Sequence, residues 1–598
     1  MNDKNSILPG ELSNSLTTTK KKKSKHKKSI FLDISSKYRS FLKFFKSKIS
    51  WSNDFHNKLQ FLELNSDTDD ITDNIEPSDS QTDSIPSIPQ FFSELDAFFV
   101  FICLFLGILF RTFVADSPNI CTFDETHFGN FTNSYIRQEY FVDIHPPLAK
   151  LWMAAFSKLQ NYNATTVFNS TSYIDTDYVE LRFAVTAFSS LVPCLAYIAL
   201  RILGVSSGNS ILASVLLLCD NSIAAEGKLI LTDGILHSVS LISVCFSCYL
   251  LVDDSLLNLI ICGLSIGSAC SIKYTAGGLM ALPAFFLFFK SCGGNFFELF
   301  KLPPIKQNLK TQNNINDSDY SEENENDENN IILRIIKTKF AILLFKGIIL
   351  GISAISVLIL SFITHIIVLK FKSYSLNGFD TSYENSLLWQ WETKDQSRFV
   401  SVGLLKRAWT SFVAMHVINN QCILGGGFDS KWYQWPLVKF NSLIWFTAHD
   451  SVVWPLPNPF TYYFSVYGMI LCLILPVFKF QKISLISWTI TYSASLFPFV
   501  LVPRSTYQYH YAIPLMIGVI GFCHAFSSVP MNKSLRDALC YVLCFVTFIF
   551  GIYHFPVLHS FPGTTLKFRA WKNSLMKIYN NKHVFLPEPT IKIVLGEL

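Results

Sequence analysis

Two adjacent carboxylates, Asp124 and Glu125, stand in the segment Phe123-Asp-Glu-Thr-His-Phe-Gly129. Asp143, His145 and Lys150 follow closely in Tyr140-Phe-Val-Asp-Ile-His-Pro-Pro-Leu-Ala-Lys150. Arg182, then Asp220, Glu226, Lys228 and Asp233, then Lys273, His365, Arg504 and His510 each lie at or near the edge of an apolar run. A carboxylate beside a hydroxyl can take its proton as that hydroxyl attacks. Arginine and lysine bind phosphate, arginine through a bidentate fork. Together these types suit group transfer from a donor that departs as an anion. The plainer alternative is a set of interfacial anchors and helix-to-helix ion pairs. It serves for any single residue and less well for the whole set. Asp143 and His145 are too few to make a metal site, and no Cys/His spacing suggests zinc.

The elements that position these residues are membrane spans. Half of the 598 residues are hydrophobic, 16% are charged, and phenylalanine alone accounts for 55. Apolar runs able to cross ~30 Å of hydrocarbon recur along the chain. They fall at 97–115, 183–203, 208–224, 229–252, 255–272, 274–290, 338–370, 460–479, 483–503, 508–527 and 536–557. The expected architecture is therefore an all-α polytopic membrane protein with about eleven transmembrane helices. Residues 1–96 pair a basic block, Lys20 to Lys28, with an acidic Ser/Asp-rich stretch and read as a disordered cytosolic tail. The Asn/Asp/Glu tract within 302–331 reads as a disordered cytosolic insert.

Lysine and arginine favour the cytosolic side. With the N-terminus cytosolic, the large lumenal loops become 116–182 and 371–459, and every lumenal turn carries an ionisable residue. The first loop holds three glycosylation sequons, at Asn130, Asn163 and Asn169. The tail 558–598 also falls on the lumenal side, against its basic composition. In the first loop, the prolines after His145 predict a short helix over 146–160, lying in the membrane plane on Leu148, Leu151, Trp152, Ala155 and Leu159. Cys121 and Cys422 lie in lumenal segments and form a candidate disulfide.

The segments 123–129 and 140–150 resemble the first lumenal loop of the protein O-mannosyltransferases. Further similar pieces follow in order: Leu181-Arg182, the run Asp220 to Asp233, Ser271-Ile-Lys-Tyr-Thr-Ala-Gly277, Phe362-Ile-Thr-His365, Ser430-Lys-Trp-Tyr-Gln-Trp-Pro-Leu437 and Arg504 to Pro514. The resemblance covers about 97–557. It implies a GT-C-type glycosyltransferase in the endoplasmic reticulum membrane, with dolichyl phosphate mannose as donor, Ser/Thr residues of secretory proteins as acceptors, and no cofactor. It also implies a homo- or heterodimer with another transferase, and no nucleic-acid partner. The loop 371–459 is too short for the domain-sized β-trefoil MIR module usual in eukaryotic members. Lys228 stands where the family generally has arginine.

On this resemblance Asp124 is the general base, and Glu125 positions the acceptor or holds Asp124, with an ion pair behind the site as its alternative. Arg182, Lys228, Lys273 and Arg504 bind the donor phosphate. His365 and His510 contact sugar or phosphate, and His127 and His145 belong to the acceptor loop. Two other readings stay open, a different polyprenyl-phosphate-sugar transferase of the same fold and a non-catalytic subunit. A transporter would show internal repeats and midplane charge, and neither is present.

Overall fold

The computed structural model describes residues 93–169, 172–291, 323–369, 403–421, 430–438, 445–448, 451–478, 484–502 and 505–561. Side chains are described for all of these except 323–338, 421, 445–448 and 451. Contacts divide the chain into one unit of 1–81 with Ser255–Leu257 and a second of 82–254 with 258–598. The account below concerns the second unit.

The described residues of that unit are mostly helical. The first helix, α1 (Glu94–Thr112), starts in a capping box: Ser93 Oγ accepts from the Asp96 amide, and Asp96 accepts from the Ser93 amide. Next come α2 (Glu125–Arg137), α3 (Leu148–Leu159), α4 (Asp177–Ser189) and α5 (Val192–Ile202). Then follow α6 (Ser207–Leu218), α7 (Asn221–Glu226), α8 (Thr232–Tyr249), α9 (Leu256–Cys270) and α10 (Ala281–Ser291). The second half holds α11 (Glu323–Val368), α12 (Leu404–Gln421), α13 (Pro459–Phe478), α14 (Ile486–Leu496), α15 (Ala512–Ser527) and α16 (Lys533–Leu558). A two-stranded antiparallel ribbon, Trp445–Ala448 with Ser451–Val453, precedes α13.

Every apolar span read from the sequence carries helix. Among the described residues six helical segments are long and apolar enough to cross a membrane: Glu94–Thr112, Asp177–Ile202, Lys339–Val368, Pro459–Phe478, Gln508–Ser527 and Lys533–Leu558. The others are shorter or broken, for visible reasons. The 208–224 run stops at Leu218 because Asp220 caps a new helix, accepting from the amides of Ser222 and Ile223. Within the long segment Asp177–Ile202 the helix is interrupted before Val192, with Pro193 in the first turn of α5 where its missing N–H costs nothing. The insert expected over 302–331 ends earlier, since α11 begins at Glu323. The short helix expected over 146–160 is present as α3, with Trp152, Ala155 and Leu159 exposed and Ala149, Met153 and Ala154 buried. Helices α13 and α15 cross closely: a Cβ at Gly468 would lie 2.6 Å from Phe522 and one at Gly518 2.6 Å from Ser465. Small residues there let the backbones approach.

One buried ion pair fastens the end of this bundle at which α2 begins. Arg182 on α4 donates to Glu125 from Nε to Oε1 and from Nη2 to Oε2, both at 2.9 Å. Glu125 also accepts from the amides of Thr122 and Ile230, each at 3.0 Å, and from the Tyr173 hydroxyl at 3.1 Å. Arg182 Nη1 donates to the carbonyls of Ala115 and Pro118, and the guanidinium lies 4.8 Å from the Tyr178 ring centroid. Both side chains are fully buried. Removing one partner of such a pair strands the other charge. Arg182→Gln should therefore cost about 3–5 kcal/mol. Thermal melts of the detergent-purified variant check this, and an unchanged melting point would contradict it.

Candidate active site

Asp124 sits at the N-terminal boundary of α2, immediately before Glu125. Its carboxylate caps no amide of that helix and is only partly covered. Phe123 before it has φ 56°, a left-handed conformation that is costly for an aromatic residue and often marks a functional turn. That turn sets Asp124 apart from Glu125, so the two carboxylates face different surroundings. Burial pushes the Asp124 carboxyl up to about 6, although His127 and Lys273 pull it down; Asp233 and Asp143 add to the rise.

Lys273 stands close by. Its ammonium donates to both oxygens of Asp233, at 2.6 and 2.7 Å, and lies 5.2 Å from the Tyr509 ring centroid. Tyr509 in turn packs against Phe123, with centroids 5.9 Å apart. His510 belongs to the same corner. It stacks on Tyr509 at 4.4 Å, and its Nδ1 approaches the Tyr507 backbone at 3.0–3.2 Å.

A small cleft opens at the Asp143–Lys150 pair, lined by Asp143, His145, Lys150, His365, Ser411 and Met415, among others. Lys150 is paired with Asp143 and donates to the carbonyls of His145 and Pro146. Desolvation lowers its pKa, and Asp143 works against that. His365, from α11, bonds through Nδ1 to the Tyr135 hydroxyl at 2.6 Å. His145 stacks on Phe128, and His127 is exposed on α2. The structure thus brings Asp124, Lys273, His510, His145 and His365 to one region.

It does not bring all the phosphate candidates there. Arg182 is buried and committed to Glu125 and two carbonyls, so its guanidinium anchors the fold instead of facing a donor. Glu125 correspondingly takes the ion-pair alternative. Lys228 is buried too, donating to His559 Nδ1 at 2.7 Å and the Val114 carbonyl at 3.3 Å, and desolvation drives its pKa well down. It ties the 227–231 turn to the ends of α1 and α16. Arg504 and Cys422 lie outside the described residues. Cys121 is a free thiol, 3.3 Å from Thr126 Oγ1. Of the sequons, Asn163 and Asn169 are exposed, while Asn130 Nδ2 is held by the carbonyls of Thr126 and Phe168, which disfavours its modification.

Sequence reasoning missed His237. It lies one turn beyond Asp233 on α8, 3.2 Å from Glu226 through Nε2. Only the Asp-x-x-x-His spacing in a helix signalled it.

The family model "Dolichyl-phosphate-mannose-protein mannosyltransferase" matches residues 101–300. A second, "C-terminal four TMM region of protein-O-mannosyltransferase", matches 404–575, and the two together span more than half of the chain. A segment of 135 residues is 38% identical to dolichyl-phosphate-mannose–protein mannosyltransferase 3 of Saccharomyces cerevisiae, covering 22% of this chain and 18% of that one. The corresponding match to mannosyltransferase 4 of Schizosaccharomyces pombe is 36% over 135 residues, 22% and 17% of the two chains. These alignments therefore span about a fifth of the relatives' length. Among solved structures, the S. cerevisiae protein O-mannosyltransferase Pmt1-Pmt2 complex bound to the sugar donor superposes with a TM-score of 0.57 at 14% identity. That match covers 79% of this chain and 91% of the other, and it supports the GT-C-type fold. With the two family-model matches in place, the first of them over the paired carboxylates, the chain belongs to the protein O-mannosyltransferase family.

Proposed function

We propose that this chain transfers mannose from dolichyl phosphate mannose to Ser/Thr hydroxyls of secretory-pathway proteins, in the endoplasmic reticulum membrane and with inversion at the anomeric carbon. The observation that carries the reading is the division of the adjacent carboxylates. Glu125 is locked into the scaffold, while Asp124 stays accessible beside Lys273 with its pKa held near 6. A base with a pKa near the working pH is well suited to taking a proton from a hydroxyl.

In this scheme the acceptor oxygen attacks the anomeric carbon as Asp124 takes its proton. The carbon–oxygen bond to phosphate breaks, and dolichyl phosphate leaves with the bonding pair. Lys273 neutralises the charge that develops on the phosphate. His365 and the Asp143–Lys150 pair line the cleft where the sugar would sit. Arg504 stays a phosphate candidate on the resemblance alone. Pairing with a second transferase fits the same reading.

Transfer of radiolabel from dolichyl phosphate mannose to a Ser/Thr-rich peptide by microsomes carrying the chain tests the activity. Its rate constant kcat/KM should rise with pH around a midpoint of about 6, because below that value Asp124 is protonated and cannot act as base. A profile flat across that range would remove Asp124 from the role. His127, Lys273, Asp143 and Asp233 all bear on that midpoint.

If Lys273 grips the phosphate, Lys273→Met should weaken dolichyl phosphate binding. A charge-assisted bond is worth roughly 1.5–3 kcal/mol, or about one to two decades in affinity. Unchanged affinity in folded protein would give Lys273 a purely structural task. For orientation, a reporter glycosylation site inserted within 380–400 should be modified and one within 305–330 should not. The reverse pattern would place Asp124 in the cytosol.

A further inference from the structure

Behind the Asp233–Lys273 pair lies a group of side chains that the transfer reaction does not use. Glu226 ends α7, and Asp233 and His237 sit one turn apart on α8. The spacing i, i+4 places the last two side by side. One donor atom from each of the three lies within 4.8 Å of the others. All are buried: Glu226 is 2% exposed, Asp233 7% and His237 0%.

Their hydrogen bonding is unfinished. Among the described residues, neither ring nitrogen of His237 has a hydrogen-bond partner, and neither does Oε2 of Glu226. Nε2 and Oε2 approach to 3.2 Å without bonding geometry. Buried polar side chains are nearly always satisfied, and exceptions often mark a missing water or ion. The separation itself is informative. Metal bonds of ~2.1 Å at tetrahedral or octahedral angles set neighbouring donors ~3.0–3.4 Å apart. The Glu226–His237 edge already has that length.

We propose that Glu226, Asp233 and His237 form a binding site for a first-row divalent cation. One imidazole with two carboxylates suits Mn²⁺, Co²⁺ or Zn²⁺ better than Mg²⁺ or Ca²⁺, which take oxygen ligands almost exclusively. Lys273 does not close the site. It donates to both Asp233 oxygens, and each carboxylate oxygen keeps a second lone pair for a metal. Ligating carboxylates are commonly held by such an outer hydrogen bond. The cation would join the end of α7 to α8 and fix Asp233, which holds Lys273 in place. Its role is to support Lys273 from behind, and it takes no part in bond breaking. The competing occupant of the same space is a single proton shared by Glu226 and His237.

The test uses the full chain, purified in detergent, treated with chelator and titrated with Co²⁺. Bound metal is counted by mass spectrometry, and the visible absorption of Co²⁺ reports its ligands. The expected result is one Co²⁺ per chain with ligand-field bands, and affinity reduced about 10–100-fold in Glu226→Gln and in His237→Phe. Melting curves establish that each variant is folded, and the wild-type spectrum stands whether or not they are. Folded wild type that binds no Co²⁺, Mn²⁺ or Zn²⁺ would overturn the site in favour of the shared proton. Binding that survives both substitutions unchanged would overturn it equally, by placing the metal elsewhere. Because metal content is the readout, neither result depends on the transferase activity.

Discussion

The architecture around the candidate site depends on the buried pairing of Glu125 with Arg182. Five donors converge on one carboxylate: two from Arg182, one hydroxyl from Tyr173, and the amides of Thr122 and Ile230. A charge without such partners would be very costly to bury. The pair thus fixes three things at once: the start of α2, the first turns of α4, and the turn leading into α8. Arg182 extends the reach to the carbonyls of Ala115 and Pro118, just past the end of α1. Four separate stretches of chain are registered against one ion pair.

That registration explains how two neighbouring acids acquire different chemistry. Glu125 is the first residue of α2 and points into the bundle, where every lone pair is used. Asp124 stands one position earlier, after the left-handed turn at Phe123, and caps nothing. Its surroundings withdraw water without supplying a direct partner, so its carboxyl rises to about 6. Lys273 is placed from the opposite side, between Asp233 and the Tyr509 ring. Asp124 and Lys273 therefore reach the same neighbourhood from different elements.

Much of this was legible in the sequence. The apolar runs fixed the helices, the prolines after His145 announced α3, and the segment 123–129 located the acid pair. What could not be read was which charges satisfy one another. Arg182 meets a partner 57 positions away, and Lys228 meets His559 at a separation of 331. No local pattern encodes such pairings, so both cations looked available for phosphate. The 208–224 run shows the same limit in another form. Its hydropathy continues to Ala224, but the cap at Asp220 and the bond from the Asn458 amide to that carboxylate turn the backbone early. His237 escaped notice because a lone histidine in an apolar helix carries little signal until Glu226 is folded against it.

The central claim is that the adjacent carboxylates divide their labour, Asp124 serving chemistry and Glu125 serving the fold. Measuring transfer rate and melting temperature together on Asp124→Asn and Glu125→Gln tests it most directly. The account predicts that Asp124→Asn loses about 10²–10⁴ in rate at an unchanged melting temperature. Glu125→Gln should instead lower the melting temperature sharply, since Arg182 is left buried without its counter-charge. An Asp124→Asn protein with full rate, or a Glu125→Gln protein as stable as wild type, would contradict the account.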